Sequence, residues 1–508
     1  MVNYFIFGGM MRNILTKYFE PTDKYNITAI EQEKAFNEIM EMPFNTGNEL
    51  LIMGGIEFFA VAQRISIKFP DLEIIIIDHD SSGYVNTKNW SNIEYYTGDL
   101  ERIKLYLQQK DKGCHFYLNI HKFNKEDEFT RYLLNSIYNH NIDLQINKNT
   151  FHRKIGLWVN NIIENSKYYI ENRSVDELKN IYDNKPVVIV MAGPSLDKNI
   201  EQLIDLQNKC IIICCSTVLR KLNKMGVTPD ICLVLDSSPA VFDLHFKDVI
   251  YQYKTVLCAD PTIDNRVFKL FKNILIFNTI EMPYNRLLDF NTKKQSLYAG
   301  GTVANACFEL AYFMELNPII FIGFDLAYGD NNERHAVDTY KVDNAESNDL
   351  IQLPAWIDQS KTVTSHHVFA FYLEWLYDRT RYMTNKTLID ATEGGCNKLN
   401  MQNMFLKDVA TKYFNAPINK EKFQDIAFKN INIDTDKLKF IINELKEKLL
   451  HYHALACTDN IDDIANDDTL ASYFISFHLQ YKDYSDFEGM LRQEIRNIID
   501  NLDKITSL

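Results

Sequence analysis

Short, uniformly apolar runs alternate with amphipathic segments through the middle of the chain. The runs at residues 187–191, 210–215 and 231–235 are rich in Val, Ile, Leu and Cys. Runs this short and this apolar indicate strands that are buried on both faces, as in a parallel sheet. Further strands are predicted at residues 255–259, 274–278 and 319–323, and helices at residues 218–225 and 303–316. The alternation predicts an α/β domain with a mostly parallel sheet.

A smaller α/β pattern precedes this region. An apolar run at residues 50–53 leads into Gly54-Gly55, a helix is predicted over residues 58–69, and a second run ends at Asp78. This order is Rossmann-like, although no complete Gly-x-Gly-x-x-Gly pattern is present. Asp78 either meets a ribose or is a solvated acid at the end of a strand. After Gly395 the pattern becomes helical, with apolar stripes at helical spacing.

These patterns predict three domains. They are an N-terminal Rossmann-like α/β domain of residues 1–145, a central Rossmann-like domain of residues 146–404 with a mostly parallel sheet, and a C-terminal helical domain of residues 405–508. A chain of 508 residues is also too long for one ordinary core. The pattern predicts no particular oligomeric state.

Charge and cysteine usage narrow the class of protein. The formal net charge of −14, with no basic tail, argues against a general nucleic-acid binder. We expect a cytoplasmic protein without a membrane span, because no cleavable signal and no sufficiently long apolar run are present. The nine cysteines include no Cys-x-x-Cys pair. Cys214, Cys215 and Cys307 lie in apolar runs and are predicted to be core residues of a reducing compartment, not nucleophiles.

The turn after residues 187–191 has the composition of an anion site. Gly193 allows a sharp turn and a close approach of the backbone to a ligand. Pro194 suits the first helical position, and Ser195 can cap the helix. A strand end, a glycine turn and a helix N-terminus together can bind a phosphate. The alternative is an ordinary turn between a strand and a helix.

Polar residues also follow the other predicted strands. They are Ser216 and Thr217, Asp236 and Ser237, the Gly300-Gly301-Thr302 turn, and Asp325. The carboxyl ends of parallel strands lie along one edge of a sheet, where ligands bind. Because several strands deliver small hydroxyls and acids to that edge, we expect a nucleotide-type site there.

Several of these residues belong to motifs whose order and spacing are more specific than any one of them. The motifs are Met191-Ala192-Gly193-Pro194-Ser195-Leu196, Leu233-Val234-Leu235-Asp236-Ser237, Gly300-Gly301-Thr302-Val303-Ala304, Gly323-Phe324-Asp325-Leu326-Ala327-Tyr328, Arg334-His335-Ala336 and Ala391-Thr392-Glu393-Gly394-Gly395. Together they resemble the motility accessory factor family of bacterial flagellin O-glycosyltransferases. The resemblance covers about residues 181–400. It implies transfer of a nonulosonic acid, such as pseudaminic or legionaminic acid, from a CMP-activated donor to Ser or Thr of flagellin.

The same residues also resemble the bacterial sialyltransferases that use CMP-sialic acid. Those enzymes carry the Gly-Pro-Ser-Leu motif, but they have Asn where this chain has Ser216 and Asp236. They need no metal, and the sequence shows no metal-ligand cluster, so no cofactor is predicted. The resemblance implies a base His ahead of a helix, which His366 matches by position, with Thr364 and Ser365 just before it. It places a Tyr one position before Tyr328.

The chemistry of such a transfer fits these residue types. The acceptor hydroxyl must lose a proton, and a His suits that role near neutral pH. His366 ranks ahead of His335, which matches the Arg-His-Ala motif of the flagellin family. Tyr328 is the expected donor to the leaving phosphate, and Arg334 is expected to steer an anion. Asp325, at its strand end, completes the predicted catalytic set.

Two other functions stay open. One is a pterin pyrophosphokinase, because related domains carry a similar Gly-Pro-Ser and Asp pattern. That reaction needs ATP and Mg²⁺, which Asp236 and Asp325 would hold. The other is a flagellin-binding chaperone with an inert nucleotide fold.

Overall fold

The fold is taken from a computed structural model. It describes residues 16–19, 28–42, 49–78, 90–97, 113–119, 133, 154, 157–158, 160–162, 164–247, 254–279, 294–339, 350–381, 383–427, 443 and 447. The chain divides into two compact units, Phe5–Phe151 and His152–Leu508, the second with residues 1–4. The predicted C-terminal helical stripes lie outside the described residues.

The first unit contains a five-stranded sheet with two described helices. Its elements are β1 (Thr16–Phe19), α1 (Ala29–Met40), β2 (Glu49–Gly54), α2 (Phe59–Lys68), β3 (Glu73–Asp78), β4 (Ile93–Thr97) and β5 (Gly113–Asn119). The strand order is β1-β5-β2-β3-β4, and each described pair is parallel. This confirms the strand, helix and strand order predicted from residues 50–78.

Local sequence explains how this unit forms. Thr28 and Glu31 make a reciprocal capping box that starts α1. Val61, Ala62 and Ile65 recur at helical spacing on α2 and are fully buried. Asp78 is not the solvated acid that the sequence allowed. It is 3% exposed, and its Oδ2 accepts a hydrogen bond of 2.8 Å from the backbone N–H of Ile56 in the glycine turn.

The second unit is built on a nine-stranded sheet. Its strands are β6 (Arg173–Ser174), β7 (Val187–Val190), β8 (Ile211–Cys215), β9 (Ile231–Val234), β10 (Val256–Ala259), β11 (Ile274–Ile276), β14 (Ile319–Ile322), β17 (Leu388–Asp390) and β18 (Gln402–Asn403). The order is β18-β17-β14-β7-β8-β9-β10-β11-β6, and all the described pairs are parallel. The predicted fold class is therefore confirmed.

Two short pairs stand apart from this sheet. β12 (Asn278–Thr279) pairs with β13 (Ser296–Leu297) in parallel, and β15 (Leu350–Pro354) pairs with β16 (Thr362–His366) in an antiparallel hairpin. The α-helices bounded within the described part of this unit are α3 (Ser166–Glu171), α4 (Leu203–Leu206), α5 (Ser216–Lys224), α6 (Pro239–Val241), α7 (Asn265–Phe268), α8 (Val303–Phe313), α9 (His367–Thr380), α10 (Leu406–Tyr413) and α11 (Glu421–Ala427).

The helix starts differ from the sequence-based expectation at three places. The segment after Gly193 is not an α-helix but two 3₁₀ turns, Pro194–Lys198 and Ile200–Gln202, followed by α4. Helix α5 begins two residues earlier than predicted, at Ser216. His366 ends strand β16 directly before α9 instead of lying in a loop. As a result, Ser195 lies in a 3₁₀ turn, Ser216 is the first residue of α5, and His366 is the last residue of β16.

The core confirms the interpretation of the cysteines. Cys214, Cys215 and Cys307 are buried, and burial raises the pKa of Cys215 to about 11. A thiol with a raised pKa is a poor nucleophile at neutral pH. Across the described residues, no helix combines the length and the apolar character needed to cross a membrane.

Candidate active site

The Gly193 turn binds a carboxylate of the chain itself. Asp325 follows β14, the strand beside β7. Its Oδ1 accepts from the backbone N–H of Ser195 at 3.1 Å, and its Oδ2 accepts from the Ser195 hydroxyl at 2.8 Å. The donors expected to face a phosphate therefore face Asp325. The 3₁₀ turn that begins at Pro194 is also only five residues long, so few peptide dipoles add up at its N-terminus.

Glycines enclose this carboxylate. A Cβ at Gly193 would lie 2.0 Å from Oδ2 of Asp325, and one at Gly395 would lie 2.3 Å from its backbone oxygen. Asp325 is 5% exposed, and burial raises its pKa to about 6, although Ser195 and Lys398 lower it. The catalytic role that the sequence predicts for Asp325 stays a prediction. In the structure its side chain is buried and holds the Gly193 turn.

The motif around Glu393 closes over the same turn. The Asn199 amide donates to the Ala391 carbonyl at 2.9 Å and to Glu393 Oε1 at 3.2 Å. The Lys198 ammonium donates to the Glu393 carbonyl at 3.0 Å. Lys398 and Asp390, on either side of this motif in the chain, form a fully buried ion pair of 3.0 Å. The motifs that begin at residues 191, 323 and 391 therefore meet in space.

Ser216 and a histidine that sequence reasoning missed form a second cluster. The Ser216 hydroxyl lies 3.0 Å from Nδ1 of His245. His245 belongs to a π-helical turn, Phe242–Phe246, a rare element that is often found at functional sites. Burial lowers the pKa of His245 to about 4, Asp236 raises it, and Arg220 lowers it. No periodicity or motif pointed to this residue.

His335 lies close to this cluster. The backbone N–H of Ala336 donates to the Ala192 carbonyl at 2.8 Å, which fixes the His335 loop beside the end of β7. Burial lowers the pKa of His335 to about 4, and Arg334 and His245 lower it further. Because β7 pairs with β8, this loop lies near the start of α5, where Ser216 is placed. Both histidines are neutral at neutral pH.

The polar residues after β8 and β9 differ in their exposure to solvent. The Asp236 side chain is 47% exposed, and its Oδ1 accepts from the Ser238 N–H at 3.0 Å and from the Lys154 ammonium at 3.3 Å. Ser237 is fully buried, and its hydroxyl has no hydrogen-bond partner among the described residues. Thr217 hydrogen-bonds the Cys215 thiol and lowers its pKa. Of these, Asp236 is the residue placed to meet a ligand.

Around the start of α9, the rings of Tyr328, His366 and Phe369 lie together and form what we call the aromatic wall. The Tyr328 ring lies 6.1 Å from the Phe369 ring, the Arg334 guanidinium lies 5.0 Å from its centroid, and the His366 ring lies 6.4 Å away. The wall also includes Tyr372. Burial raises the pKa of Tyr372, Arg334 lowers it, and Asp236 raises it. Tyr372 is three residues after Phe369 on α9, so it lies on the side of the helix that the Arg334 guanidinium contacts.

The Gly300-Gly301 turn packs against this wall. A Cβ at Gly301 would lie 3.3 Å from the Tyr372 ring, and one at Gly300 would lie 2.4 Å from Trp375. Thr302 caps α8 by accepting from the Ala304 N–H at 3.4 Å. The turn thus lies beside Tyr372 and Trp375 of α9.

His366 is held as a helix cap. Its Nδ1 accepts from the Val368 N–H at 3.1 Å, so a neutral ring carries its proton on Nε2 and presents a donor. Its lone pair is used by the cap, which argues against the general-base role ranked first from the sequence. The neighbouring Ser365 is fully buried and donates to the Leu326 carbonyl at 2.6 Å. Thr364 accepts from the Gln352 amide at 3.1 Å and from the Tyr328 N–H through its carbonyl at 2.8 Å.

Within the described ranges, no group of three or more His, Cys, Asp or Glu side chains is arranged to hold a metal ion. Asp236 and Asp325, the acids considered for Mg²⁺, are engaged separately. Asp236 bonds to Lys154, whereas Asp325 bonds to Ser195.

Comparison with known proteins identifies a family model and a solved structure that are similar to this chain. A family model described as 6-hydroxymethylpterin diphosphokinase MptE-like matches residues 160–331. The structure is similar to the MAf glycosyltransferase from Magnetospirillum magneticum AMB-1, with a TM-score of 0.55 and 16% identity over 95% of this chain and 83% of that chain. No curated protein matches the chain. The resemblance indicated by the motifs is confirmed at the level of the fold.

Proposed function

We propose that this chain is a glycosyltransferase of the motility accessory factor type. It transfers a nonulosonic acid, of the pseudaminic or legionaminic class, from a CMP-activated donor to a Ser or Thr hydroxyl of flagellin in the cytoplasm. The observation that carries the proposal is the position of Ser216, Asp236 and the Arg334-His335 loop at the carboxyl ends of the adjacent parallel strands β8, β9 and β7. The similarity in fold to the MAf glycosyltransferase from Magnetospirillum magneticum AMB-1 supports the proposal.

Each side chain at this edge has a role in that reaction. Arg334 and Ser216 face the anionic groups of the donor, which are its phosphate and its sugar carboxylate. Tyr328 is the hydrogen-bond donor on the aromatic wall, and it stabilises the leaving phosphate of CMP. Asp236 accepts hydrogen bonds from the hydroxyl groups of the nucleoside.

His335 is the general base in this proposal. As the bond between the sugar carbon and the phosphate oxygen breaks, the acceptor oxygen bonds to that carbon and its proton moves to His335. The low pKa of His335 keeps the ring neutral and able to accept this proton. A bound anionic donor raises that pKa toward neutrality, where a base works best. Because the positive charge of Arg334 and the hydrogen bonds from hydroxyl groups stabilise the leaving phosphate, we propose that transfer requires no metal ion.

The match to the pterin diphosphokinase model favours one alternative. That enzyme class would bind Mg²⁺-ATP and a pterin at the same edge. It requires acids that share a metal, and Asp236 is the exposed acid available there. The two functions therefore differ in nucleotide and in metal dependence.

A binding titration separates them. We expect the purified protein to bind CMP equally well with EDTA and with Mg²⁺, and Asp236→Asn to weaken that binding. Asp358→Asn is the matched control, because the Asp358 side chain is also 47% exposed but lies in the turn between β15 and β16. Binding of ATP only with Mg²⁺ would favour the diphosphokinase, and failure to bind either nucleotide would favour the inert chaperone.

Transfer to the acceptor needs its own assay. Purified flagellin is incubated with the protein and a CMP-nonulosonic acid, and the mass of flagellin is followed. A mass increase of one sugar residue on Ser or Thr is expected. CMP binding without any transfer would contradict the proposed acceptor but not the donor.

A further inference from the structure

His245 occupies a rigid and unusual position. Its π-helical turn follows α6 directly, and the Arg220 guanidinium donates to the carbonyls of Leu244 at 3.2 Å and of Lys247 at 3.0 Å. Phe246, the next residue, is buried and packs edge-to-face on Phe271 with ring centroids 6.1 Å apart. The imidazole is thus fixed in place by the backbone on both sides of it.

The ring contacts the first residue of α5. Ser216 Oγ lies 3.0 Å from His245 Nδ1 and is only 6% exposed as a residue. Ser216 is the first residue of this helix, and the backbone N–H groups of Thr217 and Val218 lie close enough to the Cys215 thiol to lower its pKa. The Ser216 hydroxyl therefore stands at the positive end of α5, where an anion is favoured.

The direction of the hydrogen bond decides what Ser216 can do. If Nδ1 accepts a hydrogen bond from the Ser216 hydroxyl, that hydroxyl has no proton left to donate to a ligand. If Nδ1 donates to the Ser216 oxygen, the hydroxyl proton is available to an anionic oxygen. Hydrogen bonds in such a chain strengthen one another, so the second arrangement is favoured when an anion is bound.

Neighbouring groups are consistent with an anion at this place. The Arg220 guanidinium, which donates to carbonyls on either side of His245, lowers the pKa of that ring, and Asp236 raises it. The buried Ser237 hydroxyl, which has no partner in the described structure, follows β9, the strand beside β8. An orphaned buried hydroxyl calls for a ligand or a water, because burial without a hydrogen bond is unfavourable.

We propose that His245 is a positioning residue. It donates from Nδ1 to the Ser216 oxygen and thereby directs the Ser216 hydroxyl proton to an anionic oxygen of the ligand at the start of α5. No proton is transferred in this step, and no bond is broken. The proposal rests on the proposed function, in which that oxygen belongs to the phosphate of a CMP-activated donor.

The test compares two amides at position 245, with CMP as the probe in a calorimetric titration. In His245→Asn the amide nitrogen takes the place of Nδ1 and can still donate to Ser216. In His245→Gln the amide is displaced toward the position of Nε2. We expect His245→Asn to bind CMP within about threefold of the wild type and His245→Gln to bind about tenfold more weakly.

A double variant shows whether Ser216 mediates the effect. Ser216→Ala should weaken CMP binding about as much as His245→Gln, and adding His245→Gln to Ser216→Ala should change it no further. Equal losses in the Asn and Gln variants, or losses that add to that of Ser216→Ala, would overturn the positioning role. If His245→Gln does not fold, ¹⁵N NMR of the His245 ring in the CMP complex decides. A protonated Nδ1 supports the proposal and an unprotonated Nδ1 overturns it.

Inorganic phosphate distinguishes this inference from the proposed function. If the wild type binds no CMP but binds phosphate with the same dependence on His245 and Ser216, the nucleotide assignment fails and the positioning role stands. If the wild type binds CMP but shows no dependence on His245, the positioning role fails alone. Binding of neither probe overturns both.

Discussion

Replacing Asp325 by Asn should stabilise the protein at neutral and alkaline pH. Burial raises the pKa of Asp325 from the ordinary 3.8 to about 6, and Ser195 and Lys398 only partly oppose this. Such a carboxyl binds its proton more tightly in the folded protein than in the unfolded chain. Ionising it above pH 6 therefore costs the folded state free energy that the unfolded chain does not lose.

The two pKa values set the size of the effect. Their difference corresponds to roughly 3 kcal/mol of folding free energy at high pH. Well below pH 4 the carboxyl is protonated in both states and the penalty is absent; the penalty begins near pH 4 and is fully developed once the pH has risen above about 6. Asn is nearly isosteric with Asp, its Oδ1 can accept from the Ser195 N–H, and its Nδ2 can donate to the Ser195 oxygen. Both hydrogen bonds of the turn are therefore retained.

Urea unfolding of the wild type and of Asp325→Asn, followed at several pH values between about 4 and 8, measures this difference. The variant should gain stability as the pH rises, whereas the exposed control Asp358→Asn should show no such gain. An Asp325→Asn protein that is less stable than the wild type at alkaline pH, with a deficit that shrinks in acid, would refute the reasoning. It would show that the carboxylate charge itself stabilises the turn.

Other predictions concern the site and its support. His335→Ala should lower turnover by about 10²-fold or more, whereas His366→Asn, which keeps a helix cap, should retain most activity in the flagellin transfer assay. The affinity of the wild type for CMP should rise as the pH falls from about 8 to 6, because anion binding raises the low pKa of His335 and draws in a proton. Calorimetry in buffers of different ionisation enthalpy measures that uptake, and equal heats would contradict it. Gly193→Ala should lower the free energy of unfolding by about 1–3 kcal/mol, since its Cβ would meet Asp325, and an unchanged urea midpoint would count against this contact. Lys398→Met should cost about 3–5 kcal/mol by leaving Asp390 charged and buried, and the double variant with Asp390→Asn should recover part of it.

The local sequence determined which segments form the strands of the central sheet and which polar residues follow them. The runs at residues 187–191, 210–215 and 231–235 form β7, β8 and β9 because only a doubly covered parallel strand can bury so many consecutive apolar side chains. The polar residues that follow them reach one edge because parallel strands all end on the same side. The N-terminal strand, helix and strand unit was also predictable, since its periodicity changes from strand to helix within a few residues.

The tertiary structure alone decided what those polar residues do. Asp325 lies 130 positions from Ser195, yet its carboxylate takes the donors of the Gly193 turn, because β14 pairs with β7. His245 enters the site through a π-helical turn that no periodicity signals, and His366 uses its lone pair to cap α9. Periodicity records which face of an element is buried, not which distant side chain meets it. The partners of a polar group follow from packing between strands and helices that are far apart in the chain, and that packing exists only in the folded protein.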